Sequence, residues 1–79
     1  MIPRITITAP QGWGKGWLAA QFAGHIAAWK SGIVEIYDDE TGGDRGTPTE
    51  VIGGDGKPIP AAAQHGRDVV ARIIIGKNP

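Results

Sequence analysis

The chain has 79 residues, 8 Lys and Arg against 8 Asp and Glu, and no Cys. That describes one small α/β-sized domain: domains run ~100–200 residues, and one near 60 buries only ~60% of its unfolded surface, so a large enzyme core is excluded. The lack of Cys excludes disulfide staples, CxxC redox chemistry and Cys-ligated zinc and fits a reducing cytoplasm, while a net charge of zero argues against a sequence-independent grip on nucleic acid or anionic membrane.

Arg4-Ile5-Thr6-Ile7-Thr8 alternates β-branched apolar and polar residues at period two, the pattern of a strand that should stop at Pro10. The Gly-rich turn Gln11-Gly12-Trp13-Gly14-Lys15-Gly16 follows. From about Lys15 a helix is expected, with Leu18, Phe22, Ile26 and Trp29 at helical spacing as the face that packs on a sheet, and with Ala filling the flanks. Ser31-Gly32 gives it a stop, with Gly32 in the left-handed cap position. Ile33-Val34-Glu35-Ile36-Tyr37 reads as a second strand that runs into Asp38-Asp39-Glu40. Strand, long helix and strand in succession make a βαβ unit over residues 4–40, so the two strands should be parallel, with a right-handed crossover.

Residues 41–60 read as an acidic loop rich in Gly and Pro, expected to be either mobile or folded into a short hairpin with Glu50-Val51-Ile52 and Lys57-Pro58-Ile59 as arms around Gly53-Gly54-Asp55-Gly56. Residues 61–79 then comprise a short helical turn behind Pro60 and a final strand, Val69 to Ile75, whose near-continuous β-branched run asks for cover on both faces except at Arg72. The expected architecture is a minimal three-stranded α/β sheet with one long helix.

The neutral total hides blocks of charge. Residues 1–37 carry Arg4, Lys15 and Lys30 against Glu35, and residues 61–79 carry Arg67, Arg72 and Lys77 against Asp68. Between them, Asp38, Asp39, Glu40, Asp44, Glu50 and Asp55 outnumber Arg45 and Lys57. The acidic run fails as a calcium loop, because counting from Asp39 an Asp stands where the sharp turn needs Gly, and it reads as a solvated loop. His25 lies on the apolar stripe and reads as a core or half-buried imidazole rather than a ligand, since its only imidazole partner, His65, is far away in sequence. No catalytic or metal-ligating set emerges. The longest mostly apolar stretch, Trp17 to Trp29, is shorter than the ~20 residues of a spanning helix, and Met1-Ile2-Pro3-Arg4 has no basic segment leading into an apolar one.

One motif carries a specific chemistry. Ala9-Pro10-Gln11-Gly12-Trp13-Gly14-Lys15-Gly16, set between a strand and a helix, resembles the Walker A loop, G-x-x-x-x-G-K-[ST], of the P-loop NTPases, and is most similar to that of short P-loop proteins encoded by bacteriophages. The resemblance implies that Gly12, Gly14 and Lys15 would hold the phosphates of ATP or GTP, with backbone N–H groups and the helix N-terminus turned to the anion. Ala9 replaces the first Gly of the motif, and Gly16 replaces the Ser or Thr that would hold Mg²⁺. Ile73-Ile74-Ile75 runs into Gly76 rather than into an acidic residue.

With the magnesium groups missing, the expectation is a non-enzymatic binding protein on a degenerate P-loop scaffold, without a cofactor, acting by contact with a protein partner or a second copy of itself. A phage accessory protein that binds a host factor would fit. The alternative is a nucleotide or phosphate binder without hydrolysis. Trp13 and Trp17, off the apolar stripe, and the acidic residues Asp38, Asp39 and Asp44 are the expected contact surface, because aromatic anchors flanked by charge mark binding hot spots.

Overall fold

The computed structural model describes residues 1–10, 12–38 and 47–76. Its elements are strand β1 (Arg4–Ile7), helix α1 (Lys15–Lys30), strands β2 (Ile33–Asp38) and β3 (Glu50–Ile52), a turn of 3-10 helix at Ala61–Ala63, and strand β4 (Val69–Ile75). They form one mixed sheet in the order β1-β4-β2-β3. The first two strands and the last are parallel, and β3 runs antiparallel to β2.

Four strands therefore replace the expected three, and β1 and β2, although parallel, are not neighbours: β4 lies between them. Its composition and length suit the position. Val and Ile favour extended backbone, and β4, the longest strand, has ladder partners on both edges, while α1 covers one of its faces and the other carries Arg72 and Ile74. The extra strand comes from the Gly- and Pro-rich loop. Val51 and Ile52 are buried, and the hairpin arm beyond them is reduced to the bridge between Ile52 and Pro58 and the bonds from Gly53 N–H to Lys57 O at 3.1 Å and from Ile59 N–H to Val51 O at 2.8 Å. Pro58 limits that arm to the edge, because it has no N–H to give to a ladder.

Helix α1 packs through a face turned by roughly 100° about its axis from the one expected; of the expected stripe, Ile26 lies on the shared border and still packs against the core. Ala19, Ala23 and Ala27 are buried at 0–1% exposure against Val34, Ile36, Ile52, Ala71, Ile73 and Ile75. Phe22 and Trp29 are 49% and 74% exposed, and His25 is exposed as well. The helix is apolar all round, so periodicity marks two stripes without choosing between them. Volume decides. The strands already supply large branched side chains, and small residues let the helix lie close upon them. The same closeness appears at Gly24, where a Cβ would stand 2.8 Å from Gly56 Cα, and at Gly32, where it would meet Val70 Cγ1 at 2.5 Å and Asp68 O at 2.6 Å. Gly32 is thus needed for contact, and the left-handed cap falls instead to Ser31, with φ 55°.

Register partners share a face. The face under α1 carries Ile5, Ile7, Ile73, Ile75, Val34, Ile36 and Ile52, and the opposite face carries Arg4, Thr6, Arg72, Ile74, Glu35, Tyr37 and Val51. If the Ala stripe is the packed one, Ala23→Leu should cost ~1–3 kcal/mol by overpacking. Gln21→Leu, on the exposed side, should stay within ~0.5 kcal/mol. Urea unfolding of the two variants checks this.

Candidate functional site

Three surfaces hold the chemistry-bearing residues. The first is the edge of the sheet at the carboxyl ends of its parallel strands. There the Gly-rich turn begins with a bond from Trp13 N–H to Pro10 O at 3.2 Å, and Gly12 takes φ 83°. Gly14, the residue before the helix, takes φ 89° and ψ 35°, and the first helical bond runs from Leu18 N–H to Gly14 O at 3.0 Å. No side chain caps the helix. Positive φ at both positions requires Gly, because a Cβ in the left-handed region costs ~1–2 kcal/mol. Space is not the constraint, since a Cβ at Gly12, Gly14 or Gly16 would meet nothing within 4 Å.

Lys15 follows as the first helical residue. It is only 6% exposed, and its Nζ donates to Gly76 O at 3.3 Å. Gly76 in turn donates its N–H to Ile7 O at 2.9 Å, which ties the end of β4 to β1. The ammonium thus lies against the backbone at the strand ends, beneath the turn. Asp38 ends β2 in the same row as Ile75 and Ile7; it is half-buried, and its N–H donates to Thr49 Oγ1 at 3.0 Å. Gly12, Gly14, Lys15 and Asp38 are therefore brought to one edge. Asp39 and Asp44 lie outside the described residues.

The second surface is the outer side of α1 and its turn. Trp13 and Trp17 are 62% and 69% exposed, so neither indole plugs the Gly-rich turn. Phe22 and Trp29 join them on the outside because the Ala stripe takes the inside. The Lys30 ammonium lies 3.9 Å from the centroid of the Trp29 ring, within cation–π range. Phe22 and Trp29 were assigned to the core by spacing alone. The signal that places them outside is Ala19, Ala23 and Ala27, an equally periodic stripe of smaller residues.

The third surface is a polar cluster on the sheet face opposite α1. Arg72 Nε donates to Glu35 Oε1 at 2.8 Å, and Tyr37 Oη donates to the same oxygen at 2.9 Å. Sequence reading noted Arg72 as an exception on its strand but did not pair it. The available signal was one acid inside Ile33-Val34-Glu35-Ile36-Tyr37 and one base inside Val69 to Ile75, opposite charges each isolated in a β-branched run. Among the described residues no group of three or more His, Cys, Asp or Glu is placed to hold a metal ion.

Burial raises the Tyr37 pKa above its ordinary value of 10.0, and the hydrogen bond and charge of Glu35 add to it. The hydrogen bond to Glu35 is the main cause of a rise at Arg72. A raised folded-state pKa contributes stability that is present below the unfolded value and lost as pH rises through the folded one. Stability should therefore fall above pH ~10, the ordinary Tyr range, and the fall should be shallower in Tyr37→Phe. Phenolate absorbance against pH, alongside thermal melts, tests both parts. No family model, curated protein or solved structure matches the chain.

Proposed function

We propose that this is a non-enzymatic binding protein that works by protein–protein contact through the turn and outer face of α1. The observation that carries the reading is the exposure of four large aromatic side chains, Trp13, Trp17, Phe22 and Trp29, each between 49% and 74% exposed. A small domain has few ways to bury a core, and placing its largest apolar groups outside forfeits ~1.5–3 kcal/mol for each one that could have been buried. Large apolar side chains exposed along one helix and its leading turn support an interaction surface, and Trp is enriched among the residues that dominate binding. Asp38, at the strand-end edge that the turn also occupies, is the acidic member of the proposed surface; Asp39 and Asp44, expected with it, lie outside the described residues. The P-loop resemblance enters as the scaffold, a degenerate phosphate loop put to another use, and a phage accessory protein that binds a host factor would fit this reading.

A second reading is favoured by one observation. Gly12 and Gly14 hold an open turn with positive φ at a helix end that no side chain caps, a geometry that suits an anion such as the phosphate of ATP or GTP. With Gly16 in the magnesium position, binding would come without hydrolysis.

Replacing Trp13 and Trp17 together by Ala should abolish association with the partner or with a second copy, while circular dichroism stays unchanged. Unaltered association in a folded variant would remove the contact reading. Calorimetry with ATP and GTP, with and without Mg²⁺, bears on the second reading: heat that disappears in Lys15→Ala supports it, and no heat at millimolar nucleotide removes it.

A further inference from the structure

The exposed stripe of α1 has a symmetry of its own. Leu18, Phe22, His25 and Trp29 follow one another at steps of four, three and four, so they lie on one face of the helix and read the same from either end. From Gly16 to Trp29 there is no formally charged residue. Leu18 is half-buried, His25 is exposed, and Phe22 and Trp29 stand out from the surface. We infer that this face docks on the same face of a second copy of the chain, with the two α1 helices antiparallel about a two-fold axis that passes between Phe22 and His25. This rests on the contact reading above and names the occupant.

Three features bear on a second copy as the occupant. The first is self-complementarity. An isologous interface requires residue i to meet j and j to meet i, and reversal of the stripe about its midpoint sets Leu18 opposite Trp29 and Phe22 opposite His25. The second is area. Aromatic side chains bury ~150–250 Å² each, so the exposed parts of Phe22 and Trp29 come to on the order of 200–300 Å², with Trp17 at the rim. Leu18, Gln21 and His25 fill in between them, which gives a face at the low end of interface sizes, below ~600 Å² per partner. The third is charge. No like charges meet along the stripe; the antiparallel sense opposes the two helix dipoles and sends the Lys30 ammoniums to opposite ends, whereas a parallel pair would align the dipoles and set the two ammoniums side by side.

The test uses sedimentation equilibrium and disulfide trapping. The wild-type chain should sediment as a dimer, and Phe22→Glu should raise the dissociation constant ~30-fold or more, as loss of a central aromatic anchor does, with unchanged circular dichroism. The chain contains no Cys, so introduced thiols report on one contact only. An oxidised mixture of Leu18→Cys and Trp29→Cys should give the mixed dimer. Leu18→Cys alone should not cross-link, because its two copies would sit ~16 Å apart along the helices at 1.5 Å per residue, beyond the ~7 Å Cα limit of a disulfide. Efficient self-linking of Leu18→Cys, or a dimer that survives Phe22→Glu, would overturn the antiparallel pairing. A wild-type chain that stays monomeric at millimolar concentration would overturn the second copy as occupant. If the Trp13 and Trp17 double variant of that monomer still lost a purified partner, the broader contact reading would stand without it.

Discussion

The structure depends on how closely one helix lies on one sheet. Ala19, Ala23 and Ala27 face Val34, Ile36, Ile52, Ile73 and Ile75, so nearly all of the volume between the layers comes from the strands. A helix with Leu or Phe on that side would be held farther away, and the contacts that close the fold around it would open. The turn at Gly53–Gly56 reaches the helix because Gly24 has no side chain, and the segment before β4 reaches the helix end because Gly32 has none. Interiors pack at near-crystalline density, and these glycines and alanines are where this chain meets that requirement.

The same constraint shapes the surface. Large residues denied the inner face of α1 must occupy the outer one, which explains why Trp17, Phe22 and Trp29 are exposed. It also sets the edge where the Gly-rich turn sits. With the helix close, its first residue, Lys15, comes down onto the end of β4 and bonds to Gly76, and Gly76 is itself crowded, since a Cβ there would lie 2.8 Å from Thr8 Cγ2. The opposite face of the sheet is organised differently, around one carboxylate oxygen of Glu35 shared between Arg72 and Tyr37.

Much of this was legible in the residues. The helix at 15–30 follows from periodicity and the strand at 69–75 from its near-continuous β-branched run; the cover expected on both of that strand's faces is met on one, by α1, among the described residues. The face of α1 was misjudged because two apolar stripes share one period, and only the volume offered by the strands selects between them. Glu50-Val51-Ile52 was read as one arm of a short hairpin, but its ladder to β2 was not, because that partner is distant in sequence and three residues amid Gly and Pro show no alternation to call for it. The insertion of β4 between β1 and β2 is a non-local pairing that no window along the chain displays. At the candidate site, the positive φ of Gly12 and Gly14 follows the Gly-rich motif, and the exposure of Trp13 and Trp17 was expected; that of Phe22, His25 and Trp29 was not, for the same reason as the helix face.

The claim beneath the whole account is the orientation of α1, and nuclear Overhauser contacts between side chains measure it most directly. The methyl groups of Ala19, Ala23 and Ala27 should show contacts to the side chains of Val34, Ile36 and Ile73, and the rings of Phe22 and Trp29 should show none to those strands. Contacts from the Phe22 or Trp29 ring to Val34, Ile36 or Ile73, with the Ala methyls silent, would contradict it, because the aromatic stripe would then be the core and the proposed contact surface would not exist.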